Sequence, residues 1–274
     1  MNKNKEGLVK KSTFIAVFFF VVLTIWLLLL IFKGLNQNSN SAQVWSATYQ
    51  IIAWFGALSG FYFSNLWGRW KSLMGRANFA FAFGLLAQAF GQSVFSYFFF
   101  SGIEAPYPSI ADIGFFGSIP LYTYGIVLLA KASGIHFSFK LFSSKMQAFL
   151  IPLGILILSY FILLKNYQFD WNQPLTIFLD LGYPFGQAVY VSLAIVTYFL
   201  TKFFLGGLLR KTVVLFIVAL FVQYFADYAF LYQISRDTYI GGLEIDYLYL
   251  ISYFVMTISI IQLGSVFYKI KNSE

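Results

Sequence analysis

Apolar residues in this chain come in long runs with few interruptions, not in the strict alternation of half-buried strands or the narrow stripe of surface helices. The runs lie near 13–33, 46–67, 77–100, 111–132, 146–165, 176–203, 211–233 and 245–268. Each is close to the ~20 residues that a helix needs to cross a hydrocarbon core of ~30 Å. The pattern predicts an all-α integral membrane protein with eight transmembrane helices, paired as four helical hairpins in a single membrane domain over 1–274. The first run follows a basic tail, residues 1–12, as a signal peptide would. Its length exceeds the ~7–15 apolar residues of a signal core, so it is expected to remain as an anchor.

Composition agrees, with 59% of residues apolar and only 10% charged, against roughly a quarter charged in soluble domains. The lack of cysteine and the single histidine, His136, exclude disulfides, thiolate clusters and His-ligated metal or haem centres. No cofactor and no metal is therefore expected. The net charge of +8 matters through its distribution, and no nucleic-acid partner is expected. When the spans alternate strictly, all eighteen cations except Lys33, Lys165 and Arg236 fall on one side. The other side collects Glu104, Asp112, Asp170, Asp180, Asp227, Asp237, Glu244 and Asp246. The positive-inside rule then places both termini in the cytoplasm. Between the runs there is no stretch long enough for a kinase, cyclase or DNA-binding module, and neither a phosphate-binding loop nor a dinucleotide glycine pattern is present. The activity is expected to lie within the bilayer or to pass through a partner protein.

An internal repeat is visible. Gln92 lies sixteen residues after Arg76, and Asp227 sixteen after Lys211; Asp112 follows Gln92 by 20 residues, and Asp246 follows Asp227 by 19. Asp112 precedes Ser118 by six residues, as Asp246 precedes Ser252. The hairpin 77–132 thus matches the hairpin 211–268, and 146–203, with Asp180-Leu-Gly-Tyr183-Pro184-Phe-Gly186-Gln187, reads as a degenerate copy. Hairpins that repeat without inversion are parallel repeats about an axis along the membrane normal.

An ionisable residue within a span costs at least ~2.5 kcal/mol on insertion scales and usually faces the bundle interior or a water-filled cavity. Asp227 is the strongest such residue, about 24 Å along its helix from Lys211 at ~1.5 Å per residue. Asp112, Asp180 and Asp246 sit at a similar external depth, with Gln92 and Gln187 as neutral neighbours. They form a candidate ligand-binding set around an outward-facing acidic and aromatic cavity. For Asp112, Asp180 and Asp246, each placed near a helix start, capping of free backbone N–H groups is the competing explanation. Tyr183 and Tyr228 join the set because they adjoin Asp180 and Asp227; the other external tyrosines, among them Tyr97, Tyr107, Tyr239 and Tyr249, fit an interfacial aromatic belt. Pro120, Pro152 and Pro184 fall within spans, and Gly182, Pro184 and Gly186 form a candidate hinge, against which a static kink is the favoured reading, with the Gly-x-x-x-Gly also permitting close helix approach. Gly56-x-x-x-Gly60 likewise reads as tight packing or a dimer contact, with packing within one chain favoured. No catalytic residue is assigned: there is no serine–histidine pairing, and His136 sits in a basic loop between Lys131 and Lys140.

The run Ala105-Pro-Tyr-Pro-Ser-Ile-Ala-Asp112, then Asp180-Leu-Gly-Tyr-Pro184, and finally Ala226-Asp-Tyr228 with Asp246-Tyr247 resembles the uncharacterised multi-span sensory region found ahead of bacterial diguanylate cyclases and histidine kinases. The resemblance covers about residues 77–268. It implies a sensory role and a bacterial inner membrane. Two departures stand out: glutamine occupies 92 and 187 where the family pattern suggests acids, and the sequence ends where the family continues into an output domain.

Two functions follow as expectations. The first is a membrane sensor or ligand-binding module for a small extracytoplasmic molecule, a cation or pH, acting through a separate signalling partner. The alternative is a small secondary transporter or ion permease, suggested by repeats, acidic residues within spans and prolines. The scarcity of charge in the inner halves of the helices weighs against two-sided access.

Overall fold

In the computed structural model, residues 3–34, 40–132, 170–204, 207–234 and 244–273 are described, with scattered positions within 150–161 and 236–242. The expected fifth span, 146–165, is described only at isolated positions. His136, Lys140, Lys145, Pro152, Lys165 and Asp237 lie outside the described residues.

The described chain is helical: α1 (Lys3–Phe32), α2 (Asn40–Thr48), α3 (Ile51–Leu66), a single 3-10 turn at Arg69–Lys71, α4 (Leu73–Phe100), α5 (Ile110–Ala132), α6 (Pro174–Phe204), α7 (Gly207–Ile234) and α8 (Glu244–Ser273). Six stretches are long and apolar enough to cross a membrane: Gly7–Phe32, Leu73–Phe100, Ile110–Ala132, Pro174–Tyr198, Leu209–Gln233 and Glu244–Lys271. The expected run at 46–67 is divided between α2 and α3. Gln50 explains the break, because its side-chain amide donates to the Ala47 carbonyl at 2.8 Å, the group that a continuous helix would offer to the Ile51 N–H. What remains as α3 has 16 residues.

Local chemistry sets the other helix ends. Ser72 caps α4 by accepting from the Gly75 N–H at 2.9 Å. At the far end Gly102, with φ +63°, closes α4. There the Gly102 and Ile103 N–H groups donate to the Phe99 and Phe98 carbonyls, a Schellman arrangement. Pro174 opens α6 at the position where a missing N–H is harmless.

Six helices pack in sequence as a ring, α3 to α4, α5, α6, α7 and α8, and α8 closes it by packing on α3. The α1 helix lies outside the ring against α8 and α3, with Phe14, Phe18, Leu28 and Phe32 on its exposed side. It runs antiparallel to α8: Ala16 packs with Ile261 at one end, while Phe20 stacks on Phe254 further along, with ring centroids 4.2 Å apart. The seam between α3 and α8 needs Gly56, because a Cβ there would collide with Thr257 of α8 and Leu85 of α4. Gly60 meets Ala82 in the same way, so this Gly-x-x-x-Gly serves packing within the chain.

The ring interior has two halves. Phe81 of α4 and Phe216 of α7 stack across the centre at 4.1 Å, with Leu85, Ile126 and Leu129 fully buried around them. Toward the end where α8 begins, buried polar groups take over: Gln88, Ser118, Gln187, Gln223, Ser252 and Tyr253.

Candidate functional site

The polar half is built from helical repeats of four residues, which stack side chains one above another on a single face. On α7 this pairs Gln223 with Asp227; on α6 it pairs Tyr183 with Gln187; on α8 it pairs Tyr249 with Tyr253. These faces converge on Asp227. Gln187 Nε2 donates to its Oδ2 at 2.9 Å. Gln223 Nε2 donates to Oδ1 at 3.1 Å and Oδ2 at 3.2 Å. The Tyr249 hydroxyl donates to Oδ1 at 2.8 Å. Three neutral side chains from α6, α7 and α8 thus hold one carboxylate, and among the described residues no cation pairs with it. Asp227 nevertheless keeps part of its surface accessible.

The two glutamines differ in how they are fixed. Gln223 is held at both ends, since its Oε1 accepts from the Ser252 hydroxyl at 2.8 Å. Gln187, 2% exposed, is held at one end only: its Oε1 is buried with no hydrogen-bond partner among the described residues. Behind this set, the Tyr253 hydroxyl donates to Gln88 Oε1 at 3.1 Å, and Gln88 Nε2 donates to Ser118 Oγ at 2.8 Å.

Asp112 occupies the third position of α5. Its Oδ2 accepts from the Ser109 N–H at 2.7 Å, while Ser109 Oγ accepts from the Ala111 N–H at 3.2 Å, the reciprocal geometry of a capping box. Its Oδ1 accepts from the Tyr183 hydroxyl at 2.8 Å, so Tyr183 bonds to α5 and not to Asp180 three residues before it in sequence. Asp246, 1% exposed at the start of α8, accepts from the Gly242 N–H at 2.6 Å, from Ser46 Oγ at 2.5 Å and from the Tyr239 hydroxyl at 3.0 Å. It clamps the α7–α8 turn to α2. Burial, and then the Asp246 carboxylate, push the Tyr239 phenol well above its ordinary range, so Tyr239 stays a donor.

Asp180 does not sit in a first turn, because α6 begins six residues earlier at Pro174 and Asp170 forms the turn before it, accepting from the Asn172 N–H at 3.1 Å. The capping explanation therefore fails for Asp180, whose Oδ1 accepts from the Tyr107 hydroxyl at 2.6 Å. Gln92 donates to the Ser46 carbonyl at 3.4 Å, on the residue that also binds Asp246. Tyr228 is buried with its ring 5.2 Å from Tyr224. Gly182 and Gly186 let α6 approach α5: added Cβ atoms would lie 2.8 Å from Phe116 and 2.7 Å from Ile119, with Pro184 buried between them.

The sequence-derived residues thus divide by geometry. Asp227 and Gln187 share one bonded cluster, and the Asp112–Tyr183 pair lies one turn away on the same α6 face. Asp246 and Gln92 belong to the α2 clamp, and Asp180 pairs with Tyr107. Among the described residues, Asp112, Asp227 and Asp246 share no hydrogen-bond partner. Gln223, Tyr249, Ser252, Ser46 and Gln88 belong to these networks without having been singled out as site residues from the sequence. Gln223 was within reach, because Gln223-x-x-x-Asp227 matches Gln88-x-x-x-Gln92 in the repeat.

Comparison of the chain with protein-family models, with curated proteins and with solved structures gives no match.

Proposed function

We propose that this multi-pass membrane protein is a sensor or ligand-binding module whose receptor group is Asp227, open to the extracytoplasmic side and acting through a separate partner protein. The observation that carries this reading is the carboxylate itself, placed inside a helical bundle and held by Gln187, Gln223 and Tyr249 without a cation among the described residues. A purely structural ion would be expected to have a charged partner, because an uncompensated buried charge is costly. The outward orientation rests on the positive-inside distribution of lysine and arginine, which also puts both termini in the cytoplasm. Eight spans in four hairpins, the third with a first helix over 146–165, complete the architecture of this reading. The parallel repeat is supported by one pairing in each hairpin: Gln88 with Ser118, and Gln223 with Ser252. The resemblance to bacterial sensory regions supports the sensory role and the inner-membrane location.

Thermal unfolding of the purified protein from acid to mildly alkaline pH, with and without amines, inorganic cations and small metabolites, tests the reading. A shift present in the wild type and lost in Asp227→Asn is the expected result. Responses that survive Asp227→Asn unchanged would overturn it. Solute uptake by proteoliposomes above that of empty vesicles would favour the permease alternative.

A further inference from the structure

We infer that the ligand taken by Asp227 is a small monovalent cation, an alkali ion or ammonium, bound between Asp227 Oδ2 and Gln187 Oε1 after the Gln187 amide turns over. This rests on Asp227 being the receptor group. Four features of the site lead to it.

The first is charge. When ionised, one carboxylate held by neutral donors carries a single negative charge, which one monovalent cation neutralises. Among the described residues no group of three or more His, Cys, Asp or Glu side chains comes together. Divalent ions, which are usually bound by several oxygen ligands that include carboxylates, fit poorly. The second is space. Asp227 is half-buried and not fully enclosed, which leaves room at this residue for a small ion and not for a bulky one.

The third is the difference between the two amides. An amide that donates to a carboxylate occupies the place where a cation would bridge carboxylate and amide oxygens. Gln223 cannot turn over without losing the bond from Ser252 to its Oε1. Gln187 loses nothing at its other end, because its Oε1 is buried without a partner. Rotation about the last side-chain torsion, which is soft and roughly two-fold, exchanges N–H···O for O···cation···O. The buried carbonyl oxygen, costly while unpaired, gains a ligand in the same movement. The fourth is Tyr190, three residues along α6, whose buried hydroxyl has no hydrogen-bond partner among the described residues. It supplies a polar atom on the same helix face for the displaced amide or for the ion. In the empty state Gln187 acts as a stand-in for the cation, and binding replaces it.

The test uses the full-length protein in lipid nanodiscs at constant ionic strength, with choline chloride exchanged for sodium, potassium or ammonium chloride. Thermal unfolding and binding of radiolabelled sodium are read together. The wild type is expected to show a saturable rise in Tm with at least one small cation and none with choline. Gln187→Leu is expected to raise the half-saturating concentration at least about tenfold, and Gln187→Glu, which keeps an oxygen and adds charge, to retain binding. Unchanged half-saturation in Gln187→Leu would overturn the bridging role of Gln187, while loss of the response in Asp227→Asn would leave the receptor reading standing. If Gln187→Leu does not fold, Gln187→Glu decides: retained cation binding supports the inference and lost binding overturns it. If no small cation acts on the wild type while another ligand acts through Asp227, the inference fails and the proposed function survives. If nothing acts through Asp227, both fail.

Discussion

The hairpins α4–α5 and α7–α8 place like residues at matching positions and differ where Gln92 of the first stands against Asp227 of the second. Gln88 bonds to Ser118 in the first, and Gln223 bonds to Ser252 in the second. Asp112 and Asp246 each open the second helix of their hairpin by accepting a backbone N–H. The hairpins part at one position. Gln92 reaches sideways to a backbone carbonyl of α2, whereas Asp227 gathers side chains from three helices. The comparison separates two kinds of buried carboxylate. One takes a backbone donor at a helix start and organises the chain, and the other is held only by side chains well inside its helix.

The largest effect is expected where backbone donors are at stake. Asp246→Ala strands the Gly242 N–H and releases Ser46 and Tyr239, and should lower stability by about 3 kcal/mol in thermal or denaturant unfolding. Asp112→Ala, which removes a capping box and the Tyr183 bond, should cost about 2 kcal/mol. A ratio far from this would show that the two hairpins do not share a capping design. Gln92→Glu brings a carboxylate up to the Ser46 carbonyl, and should cost about 1–2 kcal/mol without creating a second ligand response. Ser118→Ala and Ser252→Ala should each cost about 1 kcal/mol, and near-equal values would support a duplicated origin. The smallest change in stability is expected for Asp227→Asn, within about 1 kcal/mol, because an amide oxygen still accepts from Gln223 and Tyr249. That variant should lose the ligand response nonetheless, so its stability and its binding should diverge as they do for no other substitution in the series.

Much of this was legible in the sequence for identifiable reasons. Long apolar runs specify spanning helices because backbone groups in hydrocarbon have few other ways to be satisfied, and each of the six candidate spans falls on an expected run. Asp227 stood out because no helix start lies near it. The α2–α3 break was not legible, since it depends on one side-chain bond by Gln50 inside an otherwise continuous run. The assignment of partners was also hidden. Tyr183 follows Asp180 by three residues on nearly the same helix face, yet its hydroxyl bonds to Asp112 of α5 while Asp180 takes Tyr107, a choice of partner set by which helices pack together and not by spacing within one helix. Asp180 looked like a cap because its helix was expected to start at 176, and Pro174 moved the start only two residues but left Asp180 well inside the helix.

The break at Gln50 also bears on the lipids around the bundle. The 16 residues of α3 extend only ~24 Å, while α4 and α8 run to 28 and 30 residues. Trp54, Leu58 and Tyr62 lie exposed along that short face. Were α3 to cross the bilayer, as the eight-span reading requires, a membrane of ordinary thickness would have to thin beside it or leave apolar chains facing polar residues. In that arrangement short-chain lipids should gather at this flank, and the behaviour of the protein should change with acyl-chain length at constant headgroup.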